Sequence, residues 1–185
     1  MFSVRELHEY SSTVRRAFLE KLATLPWETV TKNREASYHS MKDIMLHMID
    51  NEEMVVSGQV LKTKQLTMAP NRSLTVVQGA RDWDEYTDIQ MIREHLDEVE
   101  EKTRAYLAKA DEEELARRVD FTVRSGTFDL SVEECLMQSF TEQLYHTGEL
   151  IALLWQEDIE PPKMQWFWNN PRARTSNQVL RKGLS

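Results

Sequence analysis

The sequence predicts an all-α fold: a four-helix bundle carrying one short β-hairpin just before its last long helix. Three observations predict it. Apolar residues recur at spacings of three and four along four long stretches, the mark of helices with one buried face. Capping residues stand at the heads of these stretches, and Pro26 and Pro161-Pro162 follow two of them. Strict alternation of apolar and polar residues is confined to 119–123 and 127–130, on either side of a turn at Ser125-Gly126.

The first helix is expected over 4–25. Ser3 and Glu6 form a capping box, and Leu7, Tyr10, Val14, Phe18, Leu22 and Leu25 form its apolar stripe. A loop follows from 27 to 39. The second helix starts at Ser40, with Asp43 in the capping position, and runs to about 61; Ile44, His47, Asn51, Met54 and Gly58 share one face. A polar loop holding Pro70, Asn71 and Gly79 leads to a third helix over 82–110, charged outside, with Tyr86, Ile89, Ile92, Leu96, Val99, Tyr106 and Leu107 turned inward. Residues 111–116 make one further turn, capped by Asp111 and Glu114. The hairpin is too short to stand alone and must lie on the helices. The last helix, capped by Ser131 and Glu134, runs to about 155. Leu136, Phe140, Leu144, Ile151 and Leu154 form its main core face, with Cys135, Glu142, His146, Glu149 and Leu153 beside it. The chain thus divides into a bundle over 1–162 and a segment over 163–185. Trp166, Phe167 and Trp168 of that segment are expected to cover the bundle or a partner subunit, and its polar end to be loose.

A chain of 185 residues is most simply one domain. Its nine methionines are mostly core filler. A formal charge of −8, with no basic stripe, argues against nucleic acid as a partner. A single cysteine, Cys135, excludes an intramolecular disulfide and a cysteine-rich zinc site, and fits a reducing compartment. With no secretory h-region and no apolar run long enough for a bilayer, the expected location is cytoplasmic, with no membrane partner. Phosphate-loop, dinucleotide and Ser-His-Asp signatures are missing, so ATP- or NAD-dependent chemistry has no support.

The chemistry concentrates in two helices. Glu142 and His146 stand four apart, one turn above each other on one helix face. A carboxylate and an imidazole so placed can bind one metal ion if a third ligand arrives from another helix. His47 is the candidate. Taken alone, such a pair is more often a solvated ion pair. The donor set suits zinc, nickel, iron or manganese, with nickel and zinc favoured by the order of affinities, and three protein ligands leave positions open for water or substrate. Glu149, one turn past His146, is either a base or outer acceptor or simply a solvated carboxylate. Asn51 is either a ligand-bonding amide or a surface one. His8, His39 and His95 read as exposed or loop residues, and Cys135 as buried and inert.

Helix two, Ser40-Met-Lys-Asp-Ile-Met-Leu-His47, and helix four, Thr141-Glu142-Gln-Leu-Tyr-His146-Thr-Gly148, followed by Pro161-Pro162, together resemble the DinB family of metal-binding four-helix bundles, the DinB/YfiT-like superfamily. The similarity of order spans helix one to Pro162. That family usually carries a His on helix two and a His-x-x-x-His pair on the last helix, then Gly. His47, His146 and Gly148 match. Glu142 stands where the family usually has His, which leaves either a 2-His-1-carboxylate site or a weakened or lost one. The resemblance implies the bundle fold, a divalent metal, frequent homodimerisation, and relatives that are transferases or isomerases using low-molecular-weight thiols. The leading expectation is therefore a metal-dependent, thiol-linked transferase or hydrolase of a small-molecule substrate. The rival is a non-catalytic dimeric binding or stress protein with a degenerate metal site. Helices one and four offer amphipathic faces for a second copy.

Overall fold

The computed structural model describes residues 3–35, 37–69 and 74–164. Four long helices form the bundle: α1 (Val4–Ala23), α3 (Met41–Glu53), α4 (Ile89–Leu107) and α6 (Val132–Gln156), packed in the ring α1–α6–α3–α4. Two short helices, α2 (Trp27–Thr31) and α5 (Glu112–Ala116), and two antiparallel hairpins, β1 (Leu66–Met68) with β2 (Thr75–Val77) and β3 (Arg118–Val123) with β4 (Gly126–Ser131), fill the connections. The expected fold class stands.

The helix starts follow from their caps. Ser3 Oγ accepts from the Glu6 amide at 3.2 Å, and the Glu6 carboxylate accepts from the Ser3 amide at 3.0 Å. Ser131 and Glu134 repeat this box at 3.1 and 2.6 Å. Ser40 caps α3 through the Asp43 amide, and Asp111 caps α5 through the Glu114 amide. The predicted hairpin forms, with Val123 opposite Gly126 across the turn Arg124-Ser125, one residue before the expected Ser125-Gly126.

Four features differ from the sequence expectation. A turn of helix, α2, occupies the loop after Pro26. The polar loop after helix two holds the β1–β2 hairpin, which is only three residues per strand and too short to show a period. Helix two reaches Val60, but Met54–Val60 is wound as a π-helix. Within it Gly58 lets Leu66 of β1 approach so closely that an added Cβ would sit 2.3 Å from Leu66 Cδ2. The third helix starts at Ile89, not 82. Asp82 caps a separate 3₁₀ turn over Trp83–Glu85, and Asp88 caps α4 through the Met91 amide at 3.0 Å. Trp166, Phe167 and Trp168 lie outside the described residues; of the segment beginning at 163, Met164 packs on the core and its carbonyl accepts from the Tyr10 hydroxyl.

The core has two apolar layers with a polar layer between them. One apolar layer joins Val14–Leu22 of α1, Met41–Ile49 of α3, Ile92–Val99 of α4 and Leu150–Leu154 of α6; the other joins Val4, Met54–Val60, Leu107 and Val132–Phe140. On each helix a group of buried polar residues falls between them: His8 to Arg15, Asp50 to Glu53, Glu100 and Thr103, Gln143 to Thr147. The Arg15 guanidinium bridges Glu52 Oε2 at 2.7 Å and Glu100 Oε1 at 2.8 Å, with all three side chains at most 1% exposed. Gln143 Nε2 donates to Glu52 at 2.8 Å, and Arg16 reaches Glu100 at 2.6 Å. Burial alone would raise Glu52, but Arg15 and then His8 outweigh it and hold the carboxyl far below its usual range.

His8 and His95 are therefore not the exposed residues expected from their charged sequence neighbours. His8 is buried, 3.6 Å from Glu52 and with its ring 5.1 Å from Phe140. His95 Nδ1 bonds the Tyr86 hydroxyl at 2.7 Å while Nε2 faces Glu53 at 3.7 Å. Their neighbours in space, on other helices, set their burial.

Glu53 carries a pH dependence. Burial raises its carboxyl, but His95 and Lys64, the latter 2.6 Å away, bring it down to about 2 from 4.5. The unfolded chain takes up this proton first, so the stabilisation is complete above about pH 4.5 and is lost as pH falls toward 2. The loss is on the order of 2 kcal/mol. Urea midpoints between pH 6 and 3 should fall more steeply for the wild type than for Glu53→Gln; parallel curves would remove this account.

Candidate metal centre

The ring order places α3 against α6, and two bonds across that seam set their register. Ser139 Oγ donates to Asn51 Oδ1 at 2.8 Å, and Gln143 Nε2 donates to Glu52 at 2.8 Å. With those turns aligned, His47 of α3 faces Glu142 and His146 of α6. His146 Nε2 lies 3.3 Å from Glu142 Oε1, and His47 Nε2 lies 3.9 Å from the same oxygen. The two imidazole rings meet edge to face, 4.5 Å between centroids at 82°. One donor atom from each of the three residues falls within 4.8 Å of the others. The three residues named from sequence are brought together at the α3–α6 seam.

The surroundings prepare these donors. Burial pushes the His47 imidazole below its ordinary value, against the opposing pull of Glu142, so it stays neutral near pH 7 with a free lone pair. The facing His47 side chain holds Glu142 below the usual carboxylate range against its own burial, with His146 adding to the effect. His146 Nδ1 lies 2.7 Å from Glu149 Oε2, and Ser37 Oγ donates to that carboxylate at 2.8 and 2.9 Å. A carboxylate on Nδ1 fixes the proton there and leaves Nε2 as the donor facing Glu142. Glu149 is thus an orienting acceptor, not a solvated carboxylate, and Asn51 serves the helix seam.

Sequence reasoning missed Tyr38 and Ser37, both in the segment read as a plain loop. The Tyr38 ring stacks on His47, 4.1 Å between centroids at 17°, and meets the His146 ring edge-on at 5.2 Å. Burial first, then the charges of Glu142 and Glu149, push its phenol up to about 12, so it covers the site as a neutral group. No periodicity or motif marks these two residues; only their loop's return over α6 reveals them.

The remaining candidates fall away from this cluster. Cys135 is buried, and burial followed by the charge of Glu134 pushes its thiol up to about 11, which matches an inert cysteine. His39 is exposed in the loop, at φ 65°. On α6, Leu136, Phe140 and Leu154 are buried as expected, with Leu144 and Ile151 half-buried. Cys135, Ser139, Gln143, His146 and Leu150 are buried beside them, while Glu142 and Glu149 are half-buried, so the ligand stripe runs from the core to its edge.

The donor set fits a divalent ion. Two imidazoles and one carboxylate form a recognised coordination set with positions left over. His47 Nε2 is the telling atom: its residue is 6% exposed, and it finds no hydrogen-bond partner among the described residues. A buried polar atom without a partner is costly, and a metal ion would satisfy it. A cavity of about 200 Å3 opens beside it, with His47, Asn51 and Glu142 in its wall. A larger one, about 440 Å3, lies between α1 and α4, lined by residues that include His8, Ser12 and Arg16, and holds none of the three donors. Among the described residues no helix is long and apolar enough to cross a membrane.

Comparison with known proteins gives the fold and the family. Curated proteins give no match. A crystal structure of a DinB-like protein from Bacillus cereus ATCC 10987 superposes with a TM-score of 0.59 at 15% identity, covering 83% of this chain and 90% of that one, which shows a shared fold. The sequence model of the DinB family matches residues 1–177. With a match of that extent, the chain belongs to the DinB family.

Proposed function

We propose that this protein binds one divalent metal ion through His47, Glu142 and His146, and uses it as a transferase or hydrolase of small molecules, with a low-molecular-weight thiol as co-substrate. The observation that carries the reading is the convergence of His146 Nε2 and Glu142 Oε1 on His47 Nε2, a buried atom with no other described partner. Zinc and nickel are the ions favoured by affinity, and the same donor set also accepts iron or manganese. Bound there, the ion would lower the pKa of a water or thiol at an open position. The chain's own residues do the rest. Glu149, backed by Ser37, keeps the His146 proton on Nδ1. Tyr38 caps His47 and keeps bulk water from that face. The polar layer holds α3 and α6 in register.

Family membership supports a homodimer, and half-exposed Trp155 with exposed Tyr145 on α6 gives a second copy an aromatic surface to cover. The same reading takes the protein as cytoplasmic.

Protein purified without a His tag, assayed by elemental mass spectrometry, should carry about one metal ion per chain. Glu142→Ala and His146→Ala should each lose it. A wild type that takes up no zinc, nickel or manganese on soaking would overturn the assignment and favour the non-catalytic binding protein with a degenerate site.

A further inference from the structure

The cavity beside the metal centre has an asymmetric wall. Met54 from the π-wound end of α3, Leu74 and Val76 at β2, and Val123 at the end of β3 make it apolar. His47 and Glu142 line it at the centre, and Arg124, in the turn between β3 and β4, lines it too. Among the described residues Arg124 makes no ion pair or hydrogen bond, unlike its neighbours on the same strand and just before it. Arg118 is held by Asp129 at 3.0 Å and Glu134 at 3.2 Å, and Arg117 by Glu114 at 2.8 Å. A guanidinium is always charged, and its planar fork matches a carboxylate or phosphate.

We infer that this cavity binds a small amphiphilic anion, with its acid group on Arg124, its chain against Met54, Leu74, Val76 and Val123, and its reacting end at the metal centre. The inference rests on the metal-centre reading only for what happens at the reacting end. Charge decides the orientation. The wall also holds the carboxylates of Asp50 and Glu142, and the chain carries a net −8, so in the metal-free protein the charges of this wall favour an acid group at the Arg124 end; in the loaded protein the reacting end takes the ion. Size decides the class. About 200 Å3 equals the liquid volume of roughly seven waters at ~30 Å3 each, below the ~300 Å3 at which drug-sized pockets begin. A short-chain acid fits inside.

The test compares 6-mercaptohexanoate with 6-mercaptohexan-1-ol, a matched acid and alcohol, by titration followed through amide NMR shifts. It uses both zinc-loaded and zinc-free protein. In both forms the acid should bind about tenfold more tightly than the alcohol, the scale of one charge-assisted contact. Arg124→Gln should erase that preference without changing the alcohol's affinity or the zinc content, and Arg124→Lys should keep part of it. Equal affinities in the wild type, or a preference that survives Arg124→Gln, would overturn the anion site. If the wild type takes up no zinc, the metal reading falls separately, and the zinc-free comparison still decides whether Arg124 selects the acid.

Discussion

Arg15→Met is expected to destabilise the protein by about 3–5 kcal/mol, the scale set by leaving a buried charge without its partner. Arg15 is the cation between Glu52 and Glu100, all within the polar layer and essentially without solvent contact. Desolvation works against the guanidinium, but the two carboxylates outweigh it and raise its affinity for the proton further. Methionine fills much of the volume and removes the charge. Glu100 would then keep Arg16, while Glu52 would be left with His8 and Gln143 in low dielectric, a deficit relieved by taking up a proton or by opening the bundle. The deficit should therefore shrink as pH falls, opposite in sign to the trend that Glu53 imposes on the wild type. Urea unfolding at pH 7 and pH 5 reads both. The triple change Arg15→Met, Glu52→Leu, Glu100→Leu should recover most of the loss, because an apolar layer needs no counter-charge. A single-variant loss below about 1 kcal/mol would mean that the buried ion pairs are not what holds this layer.

Zinc at about a hundred times its Kd should stabilise the wild type by roughly 2.7 kcal/mol, by mass action on the folded state alone. For a domain of this size that is a rise in Tm of about 5–10 °C. His146→Ala should abolish the rise, since it removes one of three donors and also frees Glu149 from its partner. Glu149→Gln should keep the site but weaken it by about 10–100-fold, as expected when a carboxylate that orients a ligand imidazole is lost. Glu142→His, which gives the His-x-x-x-His pair that the resemblance implies, should retain the zinc-dependent rise. Thermal melts with added zinc and with chelator separate these cases. No shift in the wild type with zinc, nickel or manganese would end the metal assignment, whatever the variants do.

The four helices, the β3–β4 hairpin and the caps at Ser3, Ser40, Asp111 and Ser131 were determined by the sequence itself. Each is a local matter, settled by periodicity and by side chains within about four residues of the backbone groups they satisfy. The triad was half local. Glu142 and His146 share a helix face by spacing alone, whereas His47 joins them only because Asn51–Ser139 and Glu52–Gln143 set the α3–α6 register. The polar layer is wholly tertiary. His8, Arg15, Glu52 and Glu100 look like surface residues in a charged sequence, and only their meeting across helices makes burying them affordable. Tyr38 and Ser37 lie in a loop with no period to read, and the cavity needs β2, the β3–β4 turn and α3 at once. Local propensity chose the elements; the pairing of buried polar groups, which no short window of sequence contains, chose how they meet.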